Sequence, residues 1–517
     1  MKKRILVALA MAIAFCLSGP QARADVKPHG LFTDGMVLQG GMKCPIWGTA
    51  DPGEKVHLLL EAKKSLSISV SSAGGQAGED GKWKTTLSIP AEMVGGPHTL
   101  TIKGKNTITL KDVYVGEVWI CSGQSNMEWA IRASHNADEV IKNSQNPKIR
   151  LFTVPKNTSD KPLDGFKGDP KWHECNPDTV KGFSAVGYFF GRDLQKALDV
   201  PVGLIHTSWG GSRAEAWTSR PVLESHEEWK NIFADFEKDK ADYAKALETY
   251  KETAAKAKEE GKKAPQPPRR PREMDAPGAL YNGMIAPLIP YAIKGAIWYQ
   301  GESNAGKAYA YRKLFPTMIQ NWRDDWKQGD FPFLFVQLAP YQPIVSEPQE
   351  SAWAELREAQ LLTSLHCKNT GIAVITDVGD PKDIHPKKKE PVGARLALAA
   401  RGIAYGENVE YSGPIYDKME VKDGKTVLHF KHVGKGLEAK DGPLHGFTIA
   451  GADRKFYNAQ AEIQGDTVLV WCDKVAQPVA VRYGWANCPV VNLWNKDGLP
   501  ASPFRTDDFP GVTTSKR

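Results

Sequence analysis

Cysteine is scarce in this chain. Seven occur in 517 residues, and one of them, Cys16, lies in the apolar N-terminal segment. The others, Cys44, Cys121, Cys175, Cys367, Cys472 and Cys488, are too few to scaffold a chain of this length. A disulfide framework is excluded. Cys472 and Cys488 flank a predicted hairpin and form the expected pair, if any forms. Long apolar runs are also missing: beyond residue 24 none approaches the ~20 residues that a membrane helix needs. Charge of one sign is lacking too. The 67 Lys and Arg nearly balance the 60 Asp and Glu, for a formal charge of +7. Nothing in that balance points to a nucleic-acid partner.

What is present starts at the N-terminus. "MKKRILVALAMAIAFCLSGPQARA" carries three cations, an apolar core from Ile5 to Leu17, and Ala22-Arg23-Ala24. That is the pattern of a secretory signal peptide over residues 1–24. Its core is too short to span a bilayer comfortably. The expectation is export to the periplasm or the extracellular space, without stable membrane insertion. Removing Lys2, Lys3, Arg4 and Arg23 lowers the charge to +3, from 63 cations and 60 anions.

The rest changes rhythm twice. Residues 25–112 are short alternating runs split by Gly, Pro, Asp and Asn, which predicts a small β-sandwich. Residues 113–405 alternate short apolar runs with helical patterns. "DVYVGEVWICSG", "VPVGLIHTSWGG", "KGAIWYQGES", "FPFLFVQLAP" and "GIAVITDVGD" each end in a polar or glycine-rich loop. Strands alternating with helices predict a parallel sheet covered on both faces, with ligands bound beyond the carboxyl ends of its strands. Residues 225–275 interrupt this body with a charged helical stretch and a Pro- and Arg-rich linker. Residues 406–517 read as β again.

Four of the strand-end loops carry candidate chemistry. In "CSGQSNMEW", Ser125 follows Gly123-Gln124 at the end of an apolar run. A serine hydroxyl needs a base within hydrogen-bond reach and donors for the oxyanion it forms. Ser125 to Glu128 is also an S-x-x-E capping box, so the same residues could simply start a helix. The candidate base is His385, in a turn-rich loop before a helix. Asp383 is two residues away and could orient its ring; Asp377 and Asp380 are alternatives. "SWGGSRAEAW" brings Gly210 and Gly211 to a strand end. "WYQGESNAG" brings Gln300, Glu302 and Asn304 to another. Backbone N–H groups at such glycines and side-chain amides can both donate to an oxyanion. Trp129, Trp209 and Trp217 are candidate sugar platforms. No H-E-x-x-H and no close histidine pair with a carboxylate occurs, so metal-assisted hydrolysis finds little support.

With these blocks the sequence resembles the SGNH hydrolases, and within them the sialate O-acetylesterase-like branch. The matching stretches are "CSGQSNMEW", "SWGGSRAEAW", "YNGMIAPLIPYAIKGAIWYQGESNA", "WAELREAQ", "DIHPKKKEPVGARLALAA" and "VRYGWANCPVVNLWNKDGLPASPFRTD". The resemblance implies a flavodoxin-like three-layer α/β/α sandwich with flanking β-sandwich domains. It implies a serine esterase without metal or other cofactor that removes acetyl groups from sugars. Ser125 then matches the nucleophile, His385 the base and Asp383 the supporting acid, although the family's usual acid-to-histidine spacing is one residue longer. Gly211 matches the oxyanion glycine, joined by Gln300 or Asn304, with Gln300 favoured. Gln124, Asn126, Arg213 and Glu302 are the expected substrate contacts; Arg213 could meet a substrate carboxylate or pair with Glu215. A 9-O-acetyl sialate is the first expected substrate, acetylated xylan or xyloglucan the second. A carbohydrate-binding protein without catalysis is the rival from another class.

Overall fold

The computed structural model describes residues 25–64 and 67–515. The predicted signal peptide lies outside the described residues. Parallel strands organise the centre: β1 (Thr107–Gly123), β2 (Asn146–Thr153), β3 (Val202–Ser208), β4 (Gly295–Tyr299), β5 (Phe333–Val336) and β6 (Thr370–Ala373). Their spatial order is β2-β3-β1-β4-β5-β6. The main helices are α1 (Ser125–Glu128), α2 (Ala185–Leu198), α3 (Ile232–Glu259), α4 (Ala308–Trp326), α5 (Ala352–His366) and α6 (Glu390–Ile403). The fold is a mixed α/β structure with several sheets.

The strands read as continuous apolar runs because both of their faces are buried. Every residue of β3 and β4 is buried. Val118, Ile120, Ala296, Trp298, Phe333 and Phe335 point into one core, shared with Phe315, Met318 and Trp322 of α4. Their neighbours Trp119, Cys121, Ile297, Tyr299, Leu334 and Val336 point into a second core, shared with α2 and α6. Burying one such side chain contributes roughly 1.5–3 kcal/mol.

The chain runs from β1 out to β2 and β3 on one side, then crosses to β4, β5 and β6 on the other. The direction reverses at β1. In such a sheet the expected ligand position is at the carboxyl end of the strand where the direction reverses, here between the loops after β3 and β4. Gly123 at that end lies opposite Ser208 and Tyr299 in the register. Only glycine fits there: its φ is +138°, and a Cβ would sit 2.2 Å from the Tyr299 carbonyl oxygen.

The expected boundary near 112–113 falls inside β1, a strand of 17 residues. Its first half pairs antiparallel with Gly95–Lys103. Its second half lies between β3 and β4. One eleven-stranded sheet thus joins N-terminal and central strands. A small second sheet sends Ile46, Trp83 and Leu87 into the first core.

Beyond residue 406, three small sheets enclose a core of Leu428, Ile449, Val468, Val481 and Leu493. Buried Arg357 of α5 ties this part to the centre by donating to the Ala486 and Asn487 carbonyls, both at 2.8 Å. The Cys472–Cys488 pair does not form; both thiols are free. The strand before Cys472 pairs with Lys425–Lys431 and Gln460–Gln464, whereas the strand before Cys488 pairs with Phe447–Ala450 and Phe504–Arg505. The predicted hairpin is absent, so nothing brings the two together.

The 225–275 stretch contains α3, a helix of 28 residues with none of them buried. Among the described residues no helix is long and apolar enough to cross a membrane.

Candidate active site

Past Gly123 the chain turns through Gln124 into α1. Ser125 is the first helical residue, and its side chain does not cap the helix; Gln124 occupies the cap position. The capping-box reading is thereby corrected, for Glu128 is engaged elsewhere. It accepts from the Gly210 N–H at 2.6 Å and from Lys156 Nζ at 2.6 Å. The Ser125 hydroxyl is left to another partner: Ser125 Oγ lies 2.8 Å from His385 Nε2. One residue comes from the end of β1, the other from the loop between β6 and α6.

The His385 ring stacks on Trp129, with centroids 5.3 Å apart and planes 18° from parallel. Burial, then the nearby Lys389 cation, holds its pKa below the ordinary value, against a smaller opposing pull from Asp383. Asp383 Oδ1 accepts from the His385 backbone N–H at 2.9 Å and lies 3.6 Å from Nδ1. It is the carboxylate beside the ring, too far in this geometry for a direct hydrogen bond to it. The other candidates are occupied. Asp377 pairs with Arg395 at 2.6 and 2.9 Å. Asp380 accepts from the Lys382 N–H at 2.8 Å.

The loop after β3 covers the serine from one side. A Cβ on Gly210 would stand 3.2 Å from Ser125 Cβ. Gly211 has φ +80°, and its carbonyl accepts from Arg272 at 2.8 Å and Ser303 Oγ at 2.9 Å. Its N–H has no intramolecular hydrogen-bond partner among the described residues. It is thus available beside the Ser125 and Asn126 N–H groups, whereas those of Met127 and Glu128 donate to the Gln124 carbonyl at 2.9 Å. A hydroxyl beside an imidazole, with free N–H donors next to it, can carry out acyl transfer.

The family of carbohydrate esterases described as sialic acid-specific acetylesterases matches residues 115–261 and 272–400. The chain belongs to this family. It is therefore a carboxylic ester hydrolase. The sialate O-acetylesterase of Mus musculus is 31% identical over 505 residues, covering 89% of this chain and 90% of its own. That of Homo sapiens is 28% identical over 509 residues, covering 90% of each. A carbohydrate acetylesterase from Xanthomonas citri has a crystal structure with a TM-score of 0.79 and 37% identity, covering 94% of this chain and 100% of that one.

Several expected contacts in this esterase turn inward. Gln300 is fully buried, and its amide nitrogen donates to Asn304 Oδ1 at 2.7 Å and to the Ser212 carbonyl at 3.3 Å. Its oxygen accepts from Tyr311. Asn304 in turn accepts from Ala214 N–H and donates to Glu215. Gln300 thus directs both amide hydrogens, and Asn304 one of its two, to partners within the protein. Gln124 Oε1 braces the Gly301 and Ser303 N–H groups at 3.4 Å. Asn126 Nδ2 donates to Glu302 Oε1 at 2.6 Å. Trp217 is fully buried against Trp298 and is no sugar platform. Arg213 is exposed and does not pair with Glu215, whose carboxylate accepts from Asn304.

Two residues of this esterase escape sequence reasoning. Arg272 ends the linker and reaches Gly211. Lys389 is buried beneath the serine and histidine, while Lys387 and Lys388 beside it are exposed. A signal for Lys389 exists: it stands four residues after His385, immediately before a helix start.

Proposed function

We propose that this esterase removes O-acetyl groups from sialic acid, with Ser125 as nucleophile and His385 as general base. The observation that carries this reading is the 2.8 Å contact between Ser125 Oγ and His385 Nε2. It lies at the carboxyl end of β1 in a chain of the sialic acid-specific family. Ser125 Oγ attacks the acetyl carbonyl while His385 Nε2 takes the hydroxyl proton. The Ser125 and Gly211 N–H groups hold the oxyanion. Collapse of the adduct breaks the bond to the sugar oxygen, which receives the proton from His385. Water then attacks acetyl-Ser125, His385 takes its proton, acetate leaves, and Ser125 is reprotonated. Asp383 stabilises the transient imidazolium.

Arg213 is the expected anchor for the substrate carboxylate, and the half-buried Trp209 a sugar contact. An exposed arginine at the rim favours an anionic sugar over neutral xylan or xyloglucan. The two cores on opposite sheet faces support an SGNH-type, flavodoxin-like three-layer α/β/α body over residues 113–405. Residues 225–275 are an insertion in it; residues 25–112 and 406–517 are flanking β-rich domains. Residues 1–24 direct export.

Acetate release from a 9-O-acetyl sialoside, acetylated xylan and acetylated xyloglucan, measured side by side, tests the substrate. Ser125→Ala should abolish release while leaving the thermal transition unchanged. Turnover persisting in that variant would reject the assignment.

A further inference from the structure

Beneath the Ser125–His385 pair lies a buried cation that the reaction scheme above does not use. Lys389 is 1% exposed. Its Nζ donates to Asn126 Oδ1 at 2.5 Å and sits over the rings of Tyr299 and Trp129, at 5.3 and 5.8 Å. Trp129 carries the His385 ring on its face.

Asn126 passes the contact on. Its Nδ2 donates to Glu302 Oε1 at 2.6 Å and to the Ile384 carbonyl at 3.1 Å. The residue after the serine is thereby bonded to the residue before the histidine. Only one sense of the Asn126 amide works. Flipped, it would aim its NH2 at an ammonium and its oxygen at a carboxylate and a carbonyl. The Lys389 cation, the Glu302 carboxylate and the Ile384 carbonyl all favour that sense.

Charge is costly here for both ends of the chain. Burial pushes Lys389 down to about 7, opposed by Glu302 and Asp383. Burial pushes Glu302 up, opposed by its own backbone contact, Asn126 and Lys389. Glu302 Oε2 has no hydrogen-bond partner among the described residues. The titratable groups facing Lys389 are Glu302 from the loop after β4, Tyr299 of β4, and Asp383 and His385 from the loop before α6.

We propose that Lys389 is a positioning residue for acyl transfer: its cation locks Asn126 as a strap between the serine turn and the histidine loop, and keeps the resting His385 imidazole neutral. This rests on the reading of His385 as the base. Two like charges close together disfavour each other, so the cation opposes imidazolium in the free enzyme. Where His385 titrates, below its ordinary value, Lys389 is still protonated.

Lys389→Gln keeps an amide donor for Asn126 and removes the charge; Lys389→Arg keeps the charge. The readouts are kcat, KM and kcat/KM against pH on p-nitrophenyl acetate, with the rate of Ser125 labelling by a fluorophosphonate. In Lys389→Gln, kcat should fall roughly tenfold to a hundredfold with little change in KM. Its acid limb should move up by about half a pH unit or more. Lys389→Arg should keep the limb where the wild type has it. An unmoved limb in Lys389→Gln overturns the proposal. Should that variant not fold, Lys389→Met takes its place: the same upward shift of the limb is expected, and an unmoved limb overturns the proposal. An active Ser125→Ala enzyme sinks the underlying reading instead. An inactive one, with Lys389→Gln unaltered, sinks only the role of Lys389.

Discussion

Arg272 donates to the carbonyl oxygen of Gly211 at 2.8 Å while the same guanidinium grips Asp275. The end of the 225–275 stretch is thereby joined to the loop beside Ser125. Together with Ser303 Oγ at 2.9 Å, it fixes the peptide that follows Gly211. The family match skips residues 262–271 and resumes at 272, where this contact begins.

Removing that grip should loosen the loop. Arg272→Ala is expected to lower kcat by roughly tenfold to a hundredfold, below the ~10²–10³ that losing an oxyanion donor outright costs. Gly211→Ala should be worse, because φ is +80° and its Cβ would stand 2.7 Å from Arg272 Nη1. Steady-state kinetics on both variants check the order; equal activity in all three enzymes would count against the loop's role.

The pH dependence has a definite sign. His385 must be neutral to accept a proton, and its surroundings lower its pKa. Activity is therefore present above that lowered value and lost as pH falls through it. The acid limb of kcat/KM, which reports the free enzyme, should have its midpoint below pH 6.5. Chloride-matched buffers at constant ionic strength are needed for the measurement.

Asp383 should matter more than its neighbours. Asp383→Asn removes the carboxylate beside Nδ1 and should cost roughly tenfold to a thousandfold in kcat, less than loss of a fully buried triad aspartate. The reason for the smaller effect is that Asp383 is 43% exposed and 3.6 Å from Nδ1. Asp380→Asn should stay near wild type. The reverse ranking would move the supporting role to Asp380.

Gln300 offers a test between structure and chemistry. Its amide is spent on Asn304, Ser212 and Tyr311. Gln300→Ala should take a partner from the Ser212 carbonyl and the Tyr311 hydroxyl, while Asn304 keeps Ala214 and Glu215, and lower stability by about 1–3 kcal/mol. The kcat of the folded fraction should change by only a few fold. A stable variant with a ~10²–10³ loss of kcat would restore it as an oxyanion donor. Denaturant melts and kinetics on one preparation separate the two.

The strand-end blocks around Ser125, Gly211 and Gln300 were readable because an apolar run that stops at glycine is a local pattern. The turn at β1 shows why: a side chain at position 123 would strike the Tyr299 carbonyl. Roles within the blocks were less readable. Glu128 looked like a capping partner, yet it holds Gly210 N–H. Gln300 and Asn304 looked like donors to a ligand, yet they bond each other. Polar side chains at one strand end have several possible partners, and spacing along the chain does not choose among them. The cysteine pair failed for a related reason, since strands adjacent in sequence joined different sheets.

By itself, then, the order of residues determined the alternation of buried strands and helices, the polar loops at their ends, and the serine and histidine types that acyl transfer requires. Those depend on burial and backbone preference, which act over a few neighbouring residues. Only the tertiary structure decided that Ser125 meets His385, that Lys389 turns inward where Lys387 and Lys388 do not, and that Arg272 returns to Gly211. Hydrogen bonds between distant segments exist only once packing has excluded water and set their distances, and no local pattern carries that information.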